Sequence, residues 1–464
     1  MAEKACHKAR MIRHTLAAVA MLATAPLAAQ STTQDEITAR YDRALAAGYK
    51  AMFLCSALAN TERAGTKRTE QSVLDWELSG IQAPLDEIVP TLEHTVYRFA
   101  NGEGAVSHVS VEWADDMPPR MAWHRQEGGC AIAPIGTTEP PEREYVAFSD
   151  SIYMWHGRVP QNRKLAAVIE RAFEAGYGDR TRTTAVIVSQ DGALRLSRYT
   201  GEYSPATPQR TWSVAKSLAA TLVGAAVHRG EADVSQSAGL GESAEDPRRA
   251  ITIDHALRMA SGRYSDTPGN RTDPLYFGGA TVDEVAIDWP LVSAPGTVYR
   301  YANNDTLAAV QAIEQTFAEH PPADFLQAVG MNHTVAETDW QGNYILSSQV
   351  WATAPDLLKL GQLYLDDGVL PDGTRVLPEG WAEHVATPSG PQPDGPFGYG
   401  AGFWLFNKTD GVPSDTYAAM GNRGQFIIIV PSMNVVIVRR GEDPAGHRFD
   451  IAGFTRDVLE TLEK

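Results

Sequence analysis

The chain has 464 residues, 43% of them hydrophobic and 21% charged, which is the composition of a folded globular protein too long for one ordinary core. Its formal net charge of −17 argues against a nucleic-acid binder, which would show a basic face. There is no C-x-x-C, no H-E-x-x-H and no G-x-x-x-x-G-K-[ST], and the twelve histidines are scattered, so neither a metal nor a nucleotide cofactor is expected.

Residues 1–29 are predicted to be a secretory signal peptide. Lys4, Lys8, Arg10 and Arg13 precede the apolar run "TLAAVAMLATAPLAA", which ends on the small residues Ala28 and Ala29. That run is short for a membrane span and contains Pro26, and no later stretch reaches the roughly 18 apolar residues a span needs. The mature protein is therefore expected to be periplasmic or secreted, with no membrane span. Cys6 leaves with the signal. Cys55 and Cys130 remain in a compartment that permits disulfides, as either a bridge or two buried thiols.

Residues 34–58 carry apolar positions at helical spacing and predict one helix. The alternating stretches "HTVYRFANGEG", "AVSHVSVEW" and "PRMAWHRQ" follow, with a turn at Asn101-Gly102, and predict an antiparallel meander. A loop rich in proline and glycine comes next, at 133–144. Residues 30–150 thus read as a small α+β module with no motif of its own.

From residue 151 a second pattern begins. "NRKLAAVIERAFEAG" predicts an amphipathic helix, and "TTAVIVSQDGALRLSRY" a hairpin turning at Asp191-Gly192. The alanine-rich "RTWSVAKSLAATLVGAAV" predicts a buried helix, opened by Pro208 and capped by Thr211, with Ser213 in its first turn. Residues 230–365 read as short helices and loops. "YGAGFWLF", "GQFIIIVPSMNVVIVRRG" and "FDIAGFTRDVLETLEK" then predict strands, a hairpin and a closing helix. Residues 151–464 are expected to form one α+β domain, an antiparallel sheet assembled from both ends around a helical insertion.

Three stretches carry groups fit for chemistry. Ser213 and Lys216 stand three apart, hence on one helical face. The helix dipole favours negative charge at such a position, and apolar surroundings would lower the lysine's pKa and free it to accept the serine's proton. A buried helix with a snorkelling lysine would give the same tetrad. In "PGTVYRYANND", Tyr301 is the only one of sixteen tyrosines to begin Y-x-N, with Asn303 two residues on. A phenol can pass protons, and an asparagine can fix both an amine and a substrate amide. In "GNRGQFIIIV", a glycine at a strand start lets a ligand lie against the backbone, where the Gln425 and Ser213 N–H groups would make an oxyanion hole.

In this order and spacing the three stretches resemble the serine β-lactamase and penicillin-binding-protein superfamily. The resemblance is strongest to its class C-like branch of esterases, D-aminopeptidases and 6-aminohexanoate-dimer hydrolases, and it covers roughly residues 160–464. It implies a β-lactamase/transpeptidase-like α/β sandwich: an antiparallel sheet flanked by helices, with a helical subdomain. It implies Ser213 as the acylated nucleophile, Lys216 as its activator and Tyr301 as general base or proton shuttle. Asn303 would orient Lys216 and the substrate amide. Most members place Lys or His at the head of the third motif, followed by Thr, Ser or Gly and then Gly. Here the triplet is Asn422-Arg423-Gly424. Arg423 is the available replacement for that charge. "KTD" at Lys408 imitates the box but lacks its glycine and precedes the wrong strand.

The expectation is an exported serine hydrolase that needs no cofactor. It would cleave small amides, short esters, D-amino-acid peptides or β-lactams through an acyl-enzyme. The alternatives are a penicillin- or muropeptide-binding protein without turnover, and a transacylase.

Overall fold

The computed structural model describes residues 25–100, 104–125, 128–141, 162–201, 203–264 and 272–462, with side chains from residue 33 onward. The signal segment up to residue 24, the Asn101-Gly102 turn and the boundary near residue 150 lie outside the described residues.

Helix α1 (Ala25–Arg63) extends beyond the predicted 34–58 at both ends. From Ala44 to Thr61 it is buried throughout, because it is enclosed on two sides. One side packs against the antiparallel sheet β1 (His94–Arg98), β2 (Val106–Val111), β3 (Arg120–Arg125) and β4 (Gly129–Ile132), in that order. The strand β4 had too few residues to register as one in the sequence. The other side meets Trp212, Phe277 and Trp351, so a single apolar cluster joins α1 to later parts of the chain. Gly48 makes this approach feasible: a Cβ there would lie 2.0 Å from the Phe277 carbonyl oxygen. Cys55 and Cys130 are joined as a disulfide, with Cα atoms 6.1 Å apart, tying α1 to β4.

After α2 (Arg163–Phe173), the hairpin β5 (Thr183–Gln190) and β6 (Ala193–Tyr199) turns at Asp191-Gly192, both at positive φ. The short strand β7 (Gln209–Arg210) leads into α3 (Val214–His228), and the middle of the chain is mostly helical, with α4 (Asn303–Gln311). β9 (Val350–Ala352) pairs with both β7 and β8 (Val335–Ala336) in a small sheet, order β7-β9-β8. Then come α5 (Ala354–Leu365), β10 (Gly398–Tyr399), β11 (Trp404–Leu405), β12 (Tyr417–Gly421), β13 (Gln425–Val430), β14 (Val435–Gly441) and α6 (Ile451–Leu459).

The main sheet has seven antiparallel strands in the order β10-β11-β12-β13-β14-β5-β6, so its two ends of sequence meet where β14 pairs with β5. This is the expected sheet flanked by helices. Period-2 alternation explains how both faces are covered. Ala185, Ile187, Ile427, Val436 and Val438 face the cluster holding α3 and α5, whereas Val186, Val188, Ile428 and Ile437 face the one holding α2 and α6.

The start of α3 corrects the sequence reading. Residues 209–210 pair with β9, and the Thr211 N–H donates to the Val350 carbonyl at 2.8 Å, so the chain there is still sheet. Ser213, not Thr211, is the cap residue, and its hydroxyl makes no capping hydrogen bond.

Candidate active site

Ser213 stands where β7 gives way to α3, directly after Trp212, whose φ of 51° is an uncommon backbone conformation for a bulky residue. With its hydroxyl not used as a cap, Ser213 is half-buried and lines a cavity of about 360 Å³ together with Tyr301, Asn303 and Asn422. One turn on, Lys216 is 1% exposed. Its Nζ donates to Ser213 Oγ at 3.2 Å, to Asn303 Oδ1 at 2.6 Å and to the Ser347 carbonyl at 2.8 Å. None of these partners carries a charge. Burial therefore lowers the Lys216 pKa to about 7, with the nearby Arg210 guanidinium adding to the effect.

Tyr301 precedes α4, and its ring packs against Tyr399 and Trp404. The Lys216 ammonium lies 5.1 Å from the ring centre. Burial pushes the phenol well above its ordinary pKa of 10.0, opposed by a hydrogen bond with Ser213. Asn303, the first residue of α4, accepts from Lys216 through Oδ1 and donates through Nδ2 to Thr272 Oγ1 at 3.3 Å. Its amide is thereby held in one orientation.

The third stretch departs from its sequence reading. Asn422-Arg423-Gly424 forms the tight turn between β12 and β13, with Arg423 at φ 55°. Gln425 is fully buried: its side chain meets Arg440 and the Gly441 carbonyl, and neither it nor Gly424 lines the cavity. The residue brought against the serine is Gly421. A Cβ there would sit 2.3 Å from the Thr211 carbonyl oxygen and 3.2 Å from Ser213 N, so glycine is required by proximity rather than by φ. Pairing of β12 with β11 ends at Ala418, leaving residues 419–421 beside the serine without a partner from that strand.

Arg423 lines the cavity, but its guanidinium is already engaged. Its guanidinium lies 3.0 Å from the Glu442 carboxylate and donates to the carbonyls of Trp76, Glu77 and Ser79 at 2.8–3.0 Å. Lys408 is remote, reaching only the Pro393 carbonyl.

Sequence reasoning missed several residues at this site. Arg210, two residues before Trp212, stacks 3.9 Å over its ring and donates to Ser348 Oγ at 2.9 Å. Tyr276 holds the hydroxyl of Ser347, whose carbonyl accepts from Lys216. Gly80, Ile81 and Gln82 reach the cavity from the amino-terminal part. Only Arg210 and Gly421 lay inside motif stretches and offered a signal.

Among the described residues, no helix is long and apolar enough to cross a membrane. No curated protein matches this sequence. Among solved structures, the fold is similar to a Bacillus anthracis protein described as a 6-aminohexanoate-dimer hydrolase. The two are 19% identical with a TM-score of 0.54, covering 64% of this chain and 83% of that one. A D-alanine carboxypeptidase from Burkholderia cenocepacia is 18% identical with a TM-score of 0.48 over 64% and 98% of the two chains. An octameric penicillin-binding protein homologue from Pyrococcus abyssi is 16% identical with a TM-score of 0.49 over 64% and 76%. The sequence profile of the Beta-lactamase family matches residues 169–439, more than half the chain. With that match, the chain belongs to the Beta-lactamase family, whose members are generally serine hydrolases.

Proposed function

We propose that the protein is an exported serine hydrolase that cleaves amide or ester bonds of small substrates through an acyl-enzyme on Ser213. The observation that carries this reading is the buried Lys216 amine, 3.2 Å from Ser213 Oγ, with its pKa lowered to about 7. Near neutral pH a large share of Lys216 is the free amine and can take a proton. Tyr301, with its pKa raised, keeps its proton and is suited to pass one on.

The steps follow from this division. Ser213 Oγ forms a bond to the substrate carbonyl carbon as its proton moves to Lys216 Nζ. The tetrahedral oxyanion is held by the Ser213 N–H and by main-chain N–H from the Gly421–Asn422 segment. The carbonyl re-forms, the bond to the leaving group breaks, and that group departs with a proton relayed from Lys216 through Tyr301. Water attacks the ester carbonyl as its proton passes through Tyr301 to Lys216; the bond from the acyl carbon to Ser213 Oγ then breaks, Lys216 returns the proton to Oγ, and the acid is released. Asn303 and Asn422 orient the substrate amide. Because the Arg423 guanidinium is already bonded to Glu442 and to main-chain carbonyls, it is a poor grip on a β-lactam carboxylate, which favours amides and short esters over β-lactams.

A fluorophosphonate probe should label the purified protein, and the protein should release p-nitrophenol from short acyl esters. Ser213→Ala should abolish both, lowering turnover by about 10⁴-fold or more. Labelling without turnover would favour a binding protein, and no labelling would end both readings. Product analysis with an added alcohol separates a transacylase. Export rests on the charged-then-apolar pattern of residues 1–29 and fits the Cys55–Cys130 bridge. Amino-terminal sequencing of the mature protein should begin near Gln30.

A further inference from the structure

One wall of the cavity comes from outside the three motif stretches. Gly80, Ile81 and Gln82 lie more than 130 residues before Ser213, yet they line the cavity with it. Ile81 is buried and belongs to the apolar cluster of α1, while Gln82 is half-buried. Gln82 lines the cavity, and its side-chain amide has no hydrogen-bond partner among the described residues.

The segment is fastened from the catalytic side by two arginines. Arg423 donates to the carbonyls of Trp76, Glu77 and Ser79. Arg182 lies 4.2 Å over the Trp76 ring and donates to Ser79 Oγ and the Asp75 carbonyl, both at 2.7 Å. Beyond them, the Ala445 N–H donates to the Gly80 carbonyl at 2.7 Å. Arg423 has a double position: its side chain holds the segment, while its backbone is part of the turn that follows Gly421. Displacing the segment therefore disturbs the wall and the oxyanion side together.

We propose that Gly80–Gln82 is a specificity wall, with the Gln82 amide recognising an amide group in the substrate and Arg423 and Arg182 as positioning residues. The proposal rests on the reading of Ser213 as nucleophile and deepens it. A primary amide both donates and accepts, so it matches a neutral amide better than a hydrocarbon of the same length. Ile81 and Phe277 add apolar surface to the same cavity.

The test compares p-nitrophenyl N-acetylglycinate with p-nitrophenyl pentanoate, similar in chain length, on the full chain. Gln82→Leu keeps the volume and removes the hydrogen bonds. It should lower kcat/KM for the amide ester relative to the aliphatic one by about fivefold, the worth of one neutral hydrogen bond, through KM. Arg423→Lys and Arg182→Met should shift the same ratio in the same direction. The ratio does not depend on the folded fraction, so loss of stability alone would leave it fixed. A second arm needs no turnover: Ser213→Ala protein is titrated with N-acetylglycinamide in a calorimeter, with and without Gln82→Leu. Weaker binding in the double variant supports the wall. Equal binding, or a ratio within about twofold of wild type, overturns it. If wild type hydrolyses neither ester, the Ser213 reading fails and the binding arm alone decides the wall.

Discussion

The two sides of the cavity treat buried charge in opposite ways. On one side Lys216 donates to a hydroxyl, an amide oxygen and a carbonyl, and to no carboxylate among the described residues. On the other, Arg423 faces Glu442, Arg68 pairs with Glu77, and Arg439 pairs with Asp443. Burial without a counter-ion makes the charged form expensive and brings the lysine to about 7; burial pulls the Arg423 pKa down too, but the Glu442 carboxylate beside it outweighs that and raises it. Reactivity accompanies the unpaired cation, and the paired cations do the fastening. An arginine next to the cavity is thus no substitute for the Lys or His of related motifs.

The largest effect that would break this comparison is at Lys216. Lys216→Ala should lower ester turnover by about 10³-fold while circular dichroism stays native, because the lost group is a proton acceptor. In wild type, log kcat/KM should rise with pH and level off above about 7, where the amine is free. The sign for stability follows from the same shift. Between about 7 and the ordinary 10.5 the unfolded chain holds a proton that the folded one does not, so this residue's contribution to stability rises with pH across that window. A kcat/KM profile flat from pH 6 to 9 would contradict the unpaired-lysine account.

The opposite side is sharpened by Gly421→Val. The new side chain collides with the Thr211 carbonyl and crowds Ser213 N, so kcat should fall by about 10²-fold or more. Retained activity would place the oxyanion elsewhere. Removing the disulfide with the double change Cys55→Ala and Cys130→Ala should lower stability by about 4 kcal/mol on the chain-entropy account of a loop of that length, read from the urea midpoint. The inflection of the pH–rate profile should not move. Smallest of all, Lys408→Ala should leave kcat/KM unchanged and stability within about 0.5 kcal/mol, since that side chain reaches only a surface carbonyl.

What was legible in the sequence had a short range. Ser213 and Lys216 are separated by one helical turn, and Tyr301 and Asn303 by two residues, so spacing alone brings each pair to one place. The strands of the main sheet were legible for the same reason, since "TTAVIVSQ" and "GQFIIIV" carry their turns beside them. The misreadings came from contacts across long separations. Thr211 looked like a cap because its pairing partner, Val350, is far along the chain. The direction of the Arg423 charge was not legible because its acceptors, the carbonyls of residues 76, 77 and 79, lie in the amino-terminal part. Gln425 looked cavity-facing because the turn at 422–424 shifts the register by which β12, not β13, meets the serine.

Trp212, the neighbour of the nucleophile, lies in the apolar cluster of α1 rather than in that of the main sheet. A fragment cut to residues 169–439 would therefore uncover an oily face directly behind the serine, along with Trp351 and Phe277. Such a fragment should be expressed as an aggregating, unreactive species, and engineering of a minimal catalyst would have to begin by rebuilding that surface.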